Sequence, residues 1–302
     1  MAWGATMDED ELSLWKKAGS ISARARDLGA SMIEEGVTYD EVATTVEDFI
    51  RDQGAEVAFP ANIALNDVAA HYTPRPGDRD RFNYGDLVKI DVGAHIDGRI
   101  GDTALTVEVG SNTYGELIKA AKRSLESAIE VIRGGISLST IGSIVERTMN
   151  EMGFKPIVNL TGHSIERFNL HAGLSVPNYD DRSRDYIPPD TIVAVEPFAT
   201  TGVGEVKSWK RSNIFRYVRP RGHLKEDQKE VLEVLKRESR HLPFSERWLS
   251  RYIENPEKAL RGLVRAGSVY SYPILRETSG GMVAQWEHTL YVTERGCRVL
   301  TY

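Results

Sequence analysis

Leu87 to Thr106, LVKIDVGAHIDGRIGDTALT, is the stretch from which the rest of the chain can be read. Two apolar runs flank Asp97-Gly98, and an Asp-Gly pair between strand-like runs is the strongest short-range hairpin signal. With Asp97 and Gly98 as the turn, Ile96 faces Arg99 and Gly93 faces Asp102. Asp91 lies two residues from Gly93 and shares its face. Asp91 and Asp102 then project from one face on a diagonal of roughly 7–8 Å. Two carboxylates converging inside an apolar hairpin repel each other and lose hydration, and a divalent cation between them relieves both. The hairpin alone fits better with two unrelated acids on a solvent face; the other segments reverse that preference.

The chain has 302 residues, 41% hydrophobic and 27% charged, enough for a large core in one domain or two. A net charge of −6 gives no argument for binding nucleic acid or an anionic membrane. Cys297 is the single cysteine, so no intrachain disulfide or cysteine zinc site is expected, which fits a reducing cytoplasm. The N-terminal MAWGATMDEDEL lacks a basic region followed by an apolar core, so no signal peptide is expected. No run of about 18 apolar residues predicts a transmembrane helix.

Before the hairpin, the pattern predicts a helix over 8–35, with Leu12, Trp15, Gly19, Leu28 and Met32 on or near one stripe. Thr38 to Glu41 reads as a capping box opening a second helix that ends at Gly54. Residues 59–78 read as irregular, with one short strand. After the hairpin, Thr113 to Glu116 reads as a capping box, and helices are expected up to Gly134 and over 139–152. Gly36 and Gly54 match Gly135 and Gly153 at an offset of 99, as do Val42 with Ile141 and Val46 with Val145. His71 and His171 follow at an offset of 100. This pattern predicts an internal duplication packed about a pseudo-twofold axis with a cleft between the halves. Residues 177–190 read as a loop, and 191–198, TIVAVEPF, as one strand. From 214 to 272 the texture is polar and helical, a predicted insertion. Strand texture returns at 280–302, where Gln285, Glu287, Thr289 and Tyr291 share one face.

Glu196 and Glu287 each interrupt an apolar strand, where an unpaired carboxylate is costly. Taken singly, either is more readily an outward-facing or ion-paired acid than a ligand, and His163 alone a structural histidine. Together, Asp91, Asp102, His163, Glu196 and Glu287 make an oxygen-rich set with one imidazole, suited to Mn, Fe, Co or Zn. Four carboxylates exceed what one tetrahedral ion takes, so two divalent ions sharing bridging carboxylates is the natural count. His71 and His171 remain for acid–base work or for hydrogen bonds to substrate.

Five stretches carry a resemblance: AAHYTPRPGD at His71, KIDVGAHIDGRIGDTALTV, GHSIERFNLHAG at His163 and His171, VAVEPFATTG at Glu196 and VAQWEHTLYVT at Glu287. In that order, with an insertion before the last, the chain resembles the methionine aminopeptidases, and among them the type 2 branch. The resemblance implies an α+β pita-bread fold: duplicated halves with antiparallel sheet and flanking helices, carrying a winged-helix-like insertion. It implies a catalytic domain over 1–213 and 273–302 and an insertion over 214–272. It implies Asp91 as a bidentate ligand of one ion, Asp102 and Glu287 as bridges, and His163 and Glu196 on the other ion. His71 would assist proton transfer near the substrate amide, and His171 would hydrogen-bond the substrate backbone. Phe59, Leu170 and Tyr272 would wall the methionine pocket. Asn213 stands where type 2 members often carry a histidine, which leaves that part of the wall open.

The resemblance further implies a cytoplasmic monomer that removes N-terminal methionine from nascent polypeptides, with no membrane and no specific nucleic acid as partner. Prolidase and aminopeptidase P share the fold but usually carry an extra N-terminal domain, for which about 90 residues before Asp91 are too few. A non-catalytic binding relative would be expected to have lost ligands, and all five positions are intact. The insertion has two readings, a surface cap that shapes the cleft rim, which is preferred, and a docking surface for the ribosome or another partner; its interspersed charges give a nucleic-acid role little support.

Overall fold

The structure, a computed structural model, describes residues 7–302. Residues 1–6 lie outside it, and with them part of the stretch on which the signal-peptide expectation rests. In chain order, helices α1 (Glu9–Met32) and α2 (Tyr39–Asp52) lead into strands β1 (Glu56–Leu65) and β2 (Val68–Ala70). The hairpin is β3 (Leu87–Ile96) and β4 (Arg99–Glu108). Helices α3 (Gly115–Val131) and α4 (Leu138–Glu151) follow, then β5 (Lys155–Pro156), β6 (Thr161–Ile165) and β7 (Ser175–Pro177). Strands β8 (Thr191–Val195), β9 (Phe198–Thr200) and β10 (Val206–Tyr217) precede α5 (Glu226–Glu238), β11 (Phe244–Ser245), α6 (Glu246–Leu249) and α7 (Glu257–Ala266). The chain closes with β12 (Val269–Glu277), β13 (Val283–Gln285), β14 (His288–Val292) and β15 (Cys297–Val299). No helix among the described residues is long and apolar enough to cross a membrane.

Every ladder among these strands is antiparallel. One apolar core sits between α1, α2 and the sheet β1-β3-β4, and a second between α3, α4 and the sheet β15-β14-β8-β6-β7. The two helix pairs are anchored in the same way. The Gly36 N–H donates to the Phe82 carbonyl and Thr38 bridges to Arg81; the Gly135 N–H donates to the Ile187 carbonyl and Ser137 bridges to Tyr186. Both helix-opening glycines take positive φ, 86° and 80°, a conformation that lacks the Cβ penalty only in glycine. These equivalent anchors at an offset of 99 bear out the duplication.

Helix α1 starts where expected, with the Asp8 carboxylate accepting from the Glu11 N–H, and buries Leu12, Trp15 and Gly19. It ends at Met32, three residues before the expected end. It lies against the hairpin at a glycine contact: a Cβ on Gly101 would stand 2.5 Å from the Gly19 Cα. Ser22 is seated there, its hydroxyl donating to the Gly101 carbonyl and accepting from the Ala94 N–H.

Several expectations need correction. Residues 59–78 are not mostly irregular: Glu56–Leu65 is a strand paired with β3. Pro60 hid it, because proline in a sheet is confined to edges and bulges; β1 is an edge strand whose register shifts around that proline. The capping box at Thr113 does not form. The Glu108 carboxylate, at the end of β4, accepts from the Thr113 and Tyr114 N–H groups instead. The expected single strand over 191–198 is two, β8 and β9, and the strand through Gln285 and Glu287 is likewise broken into β13 and β14. Apart from these corrections, positions 214 and 272, the expected bounds of the insertion, fall inside β10 and β12, which run as one ribbon from the β2 edge outward to α5–α7. Those helices gather a small core of their own around Leu232, Leu235, Leu260 and Leu263.

Candidate metal centre and the cavity around it

The hairpin has the expected register: Ile96 opposite Arg99, Gly93 opposite Asp102, and Asp91 opposite Ala104. Asp97 and Gly98 both take positive φ, 47° and 82°, as a two-residue turn matched to strand twist requires. Gly93 is needed for close packing rather than for backbone conformation. A Cβ there would stand 2.3 Å from the Phe59 ring, which lies over the hairpin face between Asp91 and Asp102. The hairpin docks on β14 through side chain–backbone hydrogen bonds. The Asp102 N–H donates to the Thr289 hydroxyl, which donates back to the Asp102 carbonyl, and the Thr103 hydroxyl donates to the Glu287 carbonyl. The Glu287 N–H donates to the Ala104 carbonyl at 2.9 Å. These contacts bring Asp102 and Glu287 together across 185 residues of sequence.

The glutamates sit at a seam between two sheets. The β8–β14 ladder ends at the pair Val195–His288, and the β9–β13 ladder begins at Phe198–Gln285. Glu196-Pro197 and Trp286-Glu287 fall opposite each other in the gap. The two strand breaks free both carboxylates from the ordinary in–out alternation and turn them toward the hairpin. His163 on β6 stands beside Ala194 of β8. Gln285, the last residue of β13, donates from its amide to Glu287 at 3.2 Å and Glu196 at 3.4 Å.

All five expected ligand side chains line one cavity. Ligand-type atoms of Asp102, His163 and Glu287 lie within 4.8 Å of one another. His163 Nε2 is 3.5 Å from Glu196 Oε1 and 3.7 Å from Asp102 Oδ2. Burial, with minor help from His171, holds the His163 imidazole down to about 3, so it is neutral and ligand-competent rather than an ion-pair partner. Burial pushes the Asp91 carboxyl up to about 7. Burial and mutual repulsion raise Asp102, Glu196 and Glu287 well above the carboxylate range. Asp91 Oδ1 and His163 Nδ1 are buried with no hydrogen-bond partner. Four buried carboxylates that repel, one neutral imidazole and an orphaned carboxylate oxygen fit a divalent cation site, since bound cations reverse this local electrostatic penalty.

The cavity encloses about 80 Å³. Phe59, Leu170 and Tyr272 stand in its walls, and His71 and His171 face it from either side. His71 takes positive φ, 65°, and its Nδ1 is 3.2 Å from the Pro273 carbonyl oxygen. A proton on Nδ1 satisfies that carbonyl and leaves Nε2 as the ring's acceptor. Burial lowers the His71 pKa, while burial, His71 and Arg216 hold His171 to about 4. His171 packs on His163 with ring centroids 4.3 Å apart, and His71 meets Tyr272 edge-on at 5.3 Å. Asn213 is not in this wall. Its side-chain amide donates to the Thr73 carbonyl, and Ile214 lines the cavity instead.

Sequence reading missed Gln285 and Asn62 as cavity residues. Gln285 was on the face of Glu287 and so was within reach of strand periodicity. Asn62, which pairs with Asp91 across β1–β3, lay in the stretch misread as irregular.

The model of metallopeptidase family M24 matches residues 13–294. A methionine aminopeptidase of Pyrococcus horikoshii is 45% identical over 300 residues, covering 98% of this chain and all of that protein. One from Methanothermobacter thermautotrophicus is 43% identical over 289 residues, covering 94% of this chain and 97% of that one. The crystal structure of a methionine aminopeptidase from Thermotoga maritima superposes with a TM-score of 0.70 at 24% identity, over 98% of each chain, and shows the same pita-bread fold. With the acid-rich cavity at the junction of its two halves, and with relatives of this identity over nearly its whole length, the chain belongs to the methionine aminopeptidases of metallopeptidase family M24.

Proposed function

We propose that the protein is a type 2 methionyl aminopeptidase that removes N-terminal methionine from nascent polypeptides when the second residue is small. The observation that carries this reading is the convergence of four carboxylates and one neutral imidazole on an 80 Å³ cavity with apolar walls. Two ions among Mn, Fe, Co and Zn suit the donor set. Asp91 would hold one, His163 and Glu196 the other, with Asp102 and Glu287 shared. When bound, such ions polarise the scissile carbonyl and acidify the attacking water.

The remaining groups belong to the chain. A free α-amino group would serve as a further donor at the metal centre, which a blocked terminus cannot do. Phe59, Leu170 and Tyr272 receive the unbranched thioether side chain. His171 hydrogen-bonds the substrate backbone. His71, fixed through Nδ1 on Pro273, presents Nε2 to the substrate amide and moves a proton there. The second residue lies against the cavity floor, so only small side chains pass. The protein acts as a cytoplasmic monomer, where its substrates emerge. Its insertion caps the cleft rim, with ribosome association as the second reading of that surface; charge pairing along its helices, Lys229 with Glu226 and Arg261 with Glu257, gives a specific nucleic-acid role little support.

The test is a panel of Met-Xaa-Ser peptides beside Leu-Ala-Ser, acetyl-Met-Ala-Ser and Ala-Pro-Ala. Met-Ala-Ser should be cleaved, and Leu-Ala-Ser more slowly by about 10–200-fold, as expected for a small difference of shape in an apolar pocket. Cleavage of Met-Lys-Ser or the acetylated peptide would overturn the cleft assignment, and preference for Ala-Pro-Ala would make the protein an X-Pro peptidase. His71→Ala should keep its metal content while turnover falls by about 10²–10⁴-fold, the usual effect of losing an acid–base group. A loss of metal in that variant would make His71 a ligand instead.

A further inference from the structure

The catalytic cavity adjoins a second cavity of about 240 Å³. The two share Leu170, His171, Pro243 and Tyr272, so a polypeptide with its first residue in the inner cavity can leave through the outer one. Charge reverses between them. Four carboxylates line the inner cavity, whereas none of the residues lining the outer cavity is acidic, and Arg216 and His241 stand in its wall. Arg240, next to His241, has its guanidinium carbon 5.1 Å from the centroid of the Phe168 ring, and that ring lines the outer cavity. Arg167 lies on the same ring but is neutralised by Asp97 at 2.5 Å. Among the described residues, Arg216 and Arg240 make no ion pair, in contrast to Arg99 and Arg167, which share Asp97.

An outer cavity arranged in this way complements a chain that is anionic a few residues beyond its first. Extended chain advances roughly 3.3–3.6 Å per residue. With the second residue against the floor of the inner cavity, next to the wall that both cavities share, the third and fourth residues fall in the outer one. We propose that the outer cavity is a subsite for an acidic side chain at the third or fourth residue of the substrate, with Arg216 as its principal contact. This rests on the methionine aminopeptidase reading of the inner cavity. Arg216 is exposed, so the preference is modest, about 2–5-fold for an exposed charge pair.

The test uses C-terminally amidated peptides, so that no terminal carboxylate mimics the side chain: Met-Ala-Xaa-Ser-Gly and Met-Ala-Ser-Xaa-Gly, with Xaa as Glu, Gln or Lys. In at least one series kcat/KM should fall in the order Glu, Gln, Lys, chiefly through KM, with the differences shrinking in about 1 M salt, where screening is nearly complete. Arg216→Glu should reverse the order. Lys119→Glu, on the exposed side of α3, should leave the Glu-to-Lys ratio unchanged and so controls for bulk charge. Equal rates for all three peptides in both series, or an order that survives Arg216→Glu, would overturn the subsite while leaving the methionine reading standing. No cleavage of any peptide would remove both.

Discussion

The four carboxylates of the candidate metal centre come from two contrasting regions. Asp91 and Asp102 hang from an unbroken ladder, β3–β4, whose turn and alternation fix their face locally. Glu196 and Glu287 stand in facing gaps where two ladders fail to join. A continuous ladder places a side chain through nearest neighbours. A seam places one only because two sheets meet there, and it can aim both carboxylates out of the alternating pattern. The hairpin is thus a local device and the seam a tertiary one, and they meet through Asp102 and Glu287.

The largest effect should come from neutralising either of the two carboxylates proposed to be shared between the ions. Asp102→Asn and Glu287→Gln should each lower kcat/KM by about 10³-fold or more, as when a positioned charge stabiliser is lost. An amide cannot offset the repulsion of two dications, so both should also fail to bind two metals. If one variant kept full metal content and turnover, one region would not contribute to the centre and the equivalence of hairpin and seam would break.

A smaller effect isolates the seam. Gln285 bridges its two glutamates, so Gln285→Ala should weaken metal affinity by about 10–100-fold, the range for groups that orient ligands. Turnover at saturating metal should change less. Metal titration beside activity checks this; an unchanged affinity would show that the strand breaks alone aim the glutamates.

The smallest effect concerns stability and joins both regions. Asp91, Asp102, Glu196 and Glu287 all have raised pKa values, Asp91 at about 7. Between the ordinary carboxyl pKa of about 4 and that raised value the folded protein holds more protons than the unfolded chain, so stability falls as pH rises. Below about pH 6.5 the lowered histidines, His71, His95, His163, His171 and His288, act in the opposite sense, so chelator-treated protein should lose melting temperature between pH 6.5 and 8. Added Mn²⁺ should restore more of it at pH 8 than at pH 6.5. Melting curves with the same slope in both forms would mean that the carboxylates are not held close enough to repel.

Much of this was legible in the sequence for physical reasons that differ from region to region. The hairpin was legible because an Asp-Gly turn between two apolar runs admits one register. The duplicated helix pairs were legible because their glycines are required by positive φ. Strand β1 was not, because Pro60 argues against a strand unless one knows that it lies at an edge. The start of α3 was misread because its cap comes from Glu108, on a different element. Asn213 could not be placed by alignment, since a one-residue step along β10 decides whether Asn213 or Ile214 faces the site.

By itself the sequence determined the residue types of the candidate site, the hairpin face and the order of the five motifs, because residue chemistry and nearest-neighbour backbone preferences suffice for these. Tertiary structure decided the rest. It broke two apolar runs at Glu196 and Glu287, set them opposite each other, and brought Asp102 against Glu287 through Thr289 and Thr103. It also set an acidic cavity beside a basic one, as charges from the hairpin, the seam and the insertion ribbon share one space only after the sheets have packed.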